Sequence, residues 1–260
     1  MSMKKDLEMS GRDHYESLYK AELLQEAEWL RLTAPEKVNS IEYFLKNNSI
    51  VPETMLELGS GTGAVIQECQ RRNLCKRYVA MDYSHEAMDY LRKNTQNIEA
   101  ITSDITADNF CIDTAFDIVI LSHVLEHLED PCSFLKSIRQ RLDFGHIIIE
   151  VPLEDLPIRR IRDSFRDRRM NTAGHVQFFT IKSFEEILIA NGFRIKDRRL
   201  YLPILDLSTL RFVSEKDGLS KLQYMVKILT NICLPRLFSF LWKQLYYGHY
   251  AVLCSKESHA

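Results

Sequence analysis

Met55-Leu-Glu-Leu-Gly-Ser-Gly-Thr-Gly63 is the stretch on which the fold turns. Met55, Leu56 and Leu58 form a short apolar run of strand length, and glycines follow at 59, 61 and 63. From Ala64 to Arg72 the pattern becomes helical. Glycine accepts a positive φ and puts no Cβ between the backbone and a ligand. The N–H groups that open the next helix then face whatever lies over the loop. Strand, glycine loop and helix in this order form a ligand-binding corner of an α/β sheet. The glycines alone also fit a tight turn with no ligand, so the decision rests on the residues around them.

Outward from this corner, short apolar runs recur at Arg77–Met81, Glu99–Thr102, Phe116–Leu121 and His146–Val151. Helical patterns at His85–Asn94 and Cys132–Leu142 lie between them. The alternation predicts an α/β fold with a doubly wound, mostly parallel sheet covered on both faces. Phe193–Leu200 and His249–Cys254 add two more strands, and Gly192 stops a helix that begins near Ser183. Residues 1–50 read as an N-terminal helical cover, 153–178 as an arginine-rich cover after strand five, and 201–247 as a helical insertion before the last strand. With 260 residues and no internal repeat or linker, a single domain over 1–260 is the simplest organisation.

Composition narrows the function. Apolar residues make up 45% and charged residues 27%, which excludes a disordered or collagen-like chain. Lys plus Arg total 34 against 36 Asp plus Glu, so a protein that coats nucleic acid through bulk positive charge is excluded. The six cysteines are scattered with no Cys-x-x-Cys pair, which suits reduced thiols in the cytoplasm. No run is long enough to span a membrane, and residues 1–12 lack a signal-peptide core.

Acidic residues follow each of the next strands. Asp82 ends the second strand at the distance at which a carboxylate reaches a ribose, while Ser84 is free to cap the helix behind it. Gly59-x-Gly61-x-x-Ala64 also satisfies the looser dinucleotide fingerprint, so an NAD(P)-dependent oxidoreductase is the first competitor. Against it stand Glu57, a like charge where a pyrophosphate would lie, and Asp104 after the third strand. Ser122-His-Val-Leu-Glu-His-Leu-Glu-Asp-Pro131 after the fourth strand argues the same way.

Taken together, Glu57–Gly63, Asp82, Asp104-Ile105 and Val124–Pro131 resemble the class I S-adenosylmethionine-dependent methyltransferases, and among them the small-molecule group that includes the ubiquinone-biosynthesis O-methyltransferases. The resemblance implies a seven-stranded, Rossmann-like sheet of order 3-2-1-4-5-7-6, with strand seven antiparallel, and S-adenosyl-L-methionine as cofactor. It implies that the loop Gly59, Ser60, Gly61 and Gly63 underlies the methionine part and that Glu57 places its amino group. Asp82 would hold the ribose hydroxyls and Tyr83 would pack on adenine. Asp104 would accept from the adenine amino group beside Ile105, and Leu121 and Ser122 would lie near the sulfonium and methyl. The expected reaction is methyl transfer to a hydroxyl, or an amine, of a small molecule. A methyltransferase-like module that transfers nothing is the second competitor.

His123-Val-Leu-Glu-His127 also matches an inverted zinc-peptidase signature, but it follows a strand, so Glu126 and His127 are expected to orient the loop and no metal is expected. His175, in a His-x-x-x-Phe context, is the first candidate for a base near the acceptor, and His123 the second. Arg159, Arg160, Arg162, Arg166, Arg168 and Arg169 form a basic cover suited to a phosphate or carboxylate on the substrate. Residues 219–247 are too apolar for a free helix: they pack on the domain, on a second copy as a homodimer, or on a membrane surface.

Overall fold

The computed structural model describes residues 11–107, 110–157, 160, 174–203, 206–216, 218–245 and 247–257. Seven strands form one sheet: β1 (Thr54–Leu58), β2 (Arg77–Asp82), β3 (Ile98–Thr102), β4 (Phe116–Ser122), β5 (Phe144–Leu153), β6 (Phe193–Tyr201) and β7 (Gly248–Lys256). Their spatial order is β3-β2-β1-β4-β5-β7-β6, as the resemblance implies. The neighbours from β3 to β5 are parallel, and β7 lies antiparallel between β5 and β6.

The strands are nearly continuous apolar runs because both faces are buried. Successive residues point to opposite sides. Leu56 and Leu58 of β1 join Val119, Ile147 and Ile149 in one core, closed by Leu135 and Ile138 of α4 (Pro131–Arg141) and Phe184 of α5 (Ile181–Ala190). Met55, Ala80, Ile118 and Ile148 face the other way. They pack against Val38 and Phe44 of α1 (Gly11–Asn47), Ile66 of α2 (Ala64–Arg71) and Leu91 of α3 (His85–Asn94). At the opposite end of the sheet from the glycine loop, Asp117 accepts hydrogen bonds from the N–H groups of Glu53 (2.7 Å) and Thr54 (2.9 Å). That contact ties the start of β1 to β4.

Caps set the helix boundaries. Ser84 Oγ accepts from Ala87 N at 3.1 Å and opens α3. Asp130 accepts from Ser133 N at 2.9 Å ahead of Pro131 in α4. Gly192, with φ of 77°, ends α5 in the left-handed conformation that glycine takes without strain. α1 is two helical pieces that meet at a kink. It bends at Glu22, where φ of −137° and ψ of 31° leave the helical region, and it continues through Pro35. Among the described residues, the helical segments Leu207–Lys216, Lys221–Ile228, Leu229–Cys233 (a π turn), Leu234–Leu237 and Ser239–Leu245 lie between β6 and β7. Of the arginine cluster only Arg160 is described, and it pairs with Asp155 through Nε–Oδ1 at 2.8 Å; the other five arginines lie outside the described residues.

Candidate active site

The carboxyl ends of β1 to β4 open into a cleft with about 1010 Å³ of empty space, its mouth included. Glu57, Gly59, Ser60 and Gly61 line it from β1 and its loop, and Asp82 and Tyr83 from the end of β2. Asp104 and Ile105 enter after β3, Ser122 and His123 after β4. Gly63, Leu121 and His175 do not line it. Leu121 is fully buried in the core, and a Cβ at Gly63 would lie 2.7 Å from Leu91, so the space at Gly63 is taken by α3.

Tyr19, Leu30 and Lys37 of α1 form a wall that the sequence did not mark as part of a site. Nothing in their local pattern separates them from the other exposed and apolar residues of a long helix. Tyr19 crosses the loop so closely that a Cβ at Gly61, where φ is 53°, would lie 2.5 Å from its hydroxyl. At Gly59, φ 67°, the same atom would lie 2.7 Å from Val124. Both positions therefore favour glycine for conformation, and at Gly59 for space as well.

Two buried carboxylates shape the floor. Asp82 Oδ2 accepts from Gly61 N at 2.8 Å and Oδ1 from Ser84 N at 2.9 Å, so it ties the glycine loop to the end of β2. Burial raises its carboxyl above the usual aspartate range, against the pull of these N–H groups. Glu57 Oε2 accepts from Ile66 N at 3.0 Å, and burial pushes its carboxyl up to about 8. Glu57 is therefore protonated at neutral pH. Asp104 Oδ1 accepts from Thr106 N at 2.9 Å and Thr106 Oγ1 at 2.6 Å, which fixes the turn after β3. Ser60 Oγ and Ser122 Oγ are buried without a hydrogen-bond partner among the described residues. Buried hydroxyls in that state are costly unless a ligand or water completes them.

Beyond Ser122 lies a network of imidazoles and carboxylates. His123 adopts φ of 59°, rare for a residue with a side chain, and its N–H donates to Glu150 O at 3.0 Å. Its Nδ1 stands 3.0 Å from Glu126 Oε1 and its Nε2 3.1 Å from Glu150 Oε1. Burial works against charge on His123, but these two carboxylates outweigh it and raise its pKa. His249 Nδ1 lies 3.3 Å from His123 Nε2, and Tyr201 donates its hydroxyl to Glu150 Oε1 at 2.8 Å. Burial lowers His249 to about 4. Burial would raise Glu126 too, but the surrounding imidazoles, His123 first, hold it down to about 2.

The second half of the network reaches His175. Glu126 O accepts from Val176 N and Gln177 N at 2.8 and 3.0 Å, which fastens the segment after Gly174 to the β4 loop. His127, which lines the cleft, places Nδ1 3.2 Å from Gly174 O, and burial lowers its pKa to about 4. His175 stacks edge-on behind it, centroids 4.9 Å apart, with Nδ1 2.6 Å from Glu154 Oε2. Leu125–His127 is one 3₁₀ turn, so His123 and His127 do not share an α-helix face as a zinc peptidase would need. Two sets, His123 with Glu150 and His249 and Glu126 with His127 and His175, each bring three potential ligand atoms within 4.8 Å of one another.

Residues 20–197 match the family model described as methyltransferase domain. No curated protein sequence matches the chain. Among solved structures, a SAM dependent methyltransferase from Archaeoglobus fulgidus is 17% identical, with 84% of this chain and 94% of that one covered and a TM-score of 0.51. The plantazolicin methyltransferase BpumL, solved with S-adenosylhomocysteine and a triazolic desmethylPZN analog, is 16% identical over 95% of this chain and 91% of its own, TM-score 0.51. The [4+2]-cyclase SpnF is 14% identical over 78% and 75%, TM-score 0.53. At these identities the three likenesses concern the fold alone.

Proposed function

The chain belongs to the methyltransferase-domain family, as a class I S-adenosylmethionine-dependent methyltransferase, and from that premise we propose that it methylates a hydroxyl, or an amine, of a small-molecule acceptor. S-Adenosylmethionine, when bound, supplies an activated methyl group on a sulfonium. The observation that carries the reading is the chemistry of the cleft. Its floor holds two buried carboxylates and two hydroxyls in want of partners, and its loop turns through positive φ at Gly59 and Gly61. This donor set suits a ligand that brings an ammonium, a sulfonium and two ribose hydroxyls. It suits a pyrophosphate poorly, and the oxidoreductase alternative loses its support.

Each residue then takes a part. Glu57, protonated in the free protein, ionises opposite the amino group. Asp82 keeps lone pairs for the ribose while its backbone bonds hold the loop. Gly59, Ser60 and Gly61 receive the methionine part, Tyr83, Asp104 and Ile105 the adenine, and Ser122 the region of the methyl. Gly63 and Leu121 support the loop and strand from behind.

His123 stands between two carboxylates that raise its pKa. Glu126 faces its Nδ1 and Glu150 its Nε2, and both favour its charged form, which disfavours it as the base. The reaction is proposed to proceed without a metal ion, with His123 standing between Glu126 and Glu150. His175 is the proposed base for the acceptor, its Nδ1 held 2.6 Å from Glu154 Oε2 and its ring edge-on behind His127 of the cleft wall. His127, neutral and in the cleft wall, orders the approach. The acceptor is a small metabolite with an anionic group, the partner suited to the arginine-rich cover. The protein works in the cytoplasm, where its cysteines, all six free, stay reduced.

The test follows transfer from methyl-labelled S-adenosylmethionine to a panel of hydroxylated and amino acceptors. With an accepted substrate, His175→Ala lowers kcat by about 10²–10⁴ while cofactor affinity stays within a few-fold. Unchanged kcat removes His175 from the chemistry, and transfer to no acceptor in the panel by the wild type favours the module that transfers nothing.

A further inference from the structure

The segment between β6 and β7 breaks the pattern of the rest of the molecule. Of fifteen large apolar side chains that stand exposed among the described residues, nine lie between Leu222 and Leu245. Leu222 and Leu237 are more than 70% exposed, at 72% and 73%, and Met225 and Phe240 follow at 66% and 65%. Within 221–245 only Ile232 and Pro235 are buried. An apolar surface of this density on a polar chain marks a contact with something else.

Charge identifies the occupant. Residues 221–245 contain Lys221, Lys227, Arg236 and Lys243 and not one Asp or Glu, in a chain where acids outnumber bases 36 to 34. A second copy of this chain is a poor partner. A two-fold dimer sets the same patch against itself, so four cations would meet four cations with no acid between them. An anionic bilayer surface takes both features at once, apolar side chains below the headgroups and cations at the phosphates.

The element also has the shape for lying in the interface. Its helices are short, Lys221–Ile228 and Ser239–Leu245, and are separated by a wide π turn at Leu229–Cys233 and by Pro235. No described helix is long and apolar enough to cross a membrane. Tyr224 and Trp242 add rings with an apolar body and a polar tip, which favour the boundary between headgroup and acyl chain.

We propose that residues 221–245 dock this protein onto an anionic lipid surface. The docking does not depend on the methyl-transfer reading, although the two meet in the fold. The helix Leu207–Lys216, just before the patch, joins α1 through Lys216 Nζ and Glu26 Oε2 at 3.1 Å, and α1 forms one wall of the cleft.

The test floats the full chain with vesicles of phosphatidylcholine alone and of phosphatidylcholine mixed with phosphatidylglycerol. Two double variants, Phe240→Ser with Leu241→Ser and Lys227→Glu with Arg236→Glu, run alongside, with melting temperature and S-adenosylhomocysteine affinity as controls on folding. The wild type is expected to partition about tenfold or more in favour of the anionic vesicles and to lose that preference as salt is raised. Each double variant is expected to lose about tenfold or more with the controls unchanged. Equal partition into both vesicles, or no flotation with either, overturns the proposal whatever the variants do. A wild-type dimer that Phe240→Ser with Leu241→Ser splits into monomers, with no lipid binding, assigns the patch to a second copy and overturns it too.

Discussion

Glu57 carries the sharpest consequence at the scale of one residue. Its carboxyl stands at about 8 because burial strips it of water, so the free protein binds a proton there at pH 7. A ligand ammonium beside it lowers that pKa through the working pH, and the proton must leave. Titration of S-adenosylhomocysteine at pH 7 in two buffers of different ionisation enthalpy should therefore report a release approaching one proton per site. Glu57→Gln should abolish the buffer dependence and weaken binding, and equal heats in both buffers for the wild type would show that Glu57 is not the ammonium's partner. The neighbouring network gives a second residue-scale outcome. With His123 placed between Glu126 and Glu150, exhaustive chelation is expected to leave turnover intact. Loss of turnover restored by zinc or magnesium would give one of the two ligand sets to a metal.

Among elements, α1 differs most from what its sequence suggests. The pattern showed helix but not reach: Tyr19 and Lys37 are eighteen positions apart, on either side of the kink at Glu22, and both arrive at the cleft. Ligand binding should therefore protect the amides of α1 around Tyr19 to Lys37 from hydrogen exchange, together with loop 59–63 and the turn Asp104–Thr106. The patch at 221–245 should not change. Protection confined to the loop would show that α1 is not part of the site. The strands were legible to within a residue or two at most ends, because a buried parallel strand writes its own length in apolar residues. Glu57 was legible because it precedes a glycine-marked turn, and Asp82 because it ends an apolar strand. The pairing of His123 with Glu150 and His249 was not. It joins residues 27 and 126 positions apart, and strand order rather than local periodicity brings them together.

For the molecule as a whole, the sheet order sets β1 beside β4 at the switch point, so that acids from three strands and the network after β4 converge on one cleft. Fold and cofactor class follow from that convergence and from the family, whereas the acceptor depends on covers whose chemistry varies independently of the sheet. The most direct measurement is calorimetric titration of S-adenosylhomocysteine and of NADH into the wild type and Asp82→Asn. Asp82 spends one lone pair on each of Gly61 and Ser84 and keeps others for a ribose, and an asparagine amide would oppose one of those N–H groups. The expected result is saturable, one-to-one binding of S-adenosylhomocysteine by the wild type, a loss of about two orders of magnitude in Asp82→Asn, and no heat with NADH. Tight binding of NADH, or an Asp82→Asn variant that binds S-adenosylhomocysteine as the wild type does, would contradict it.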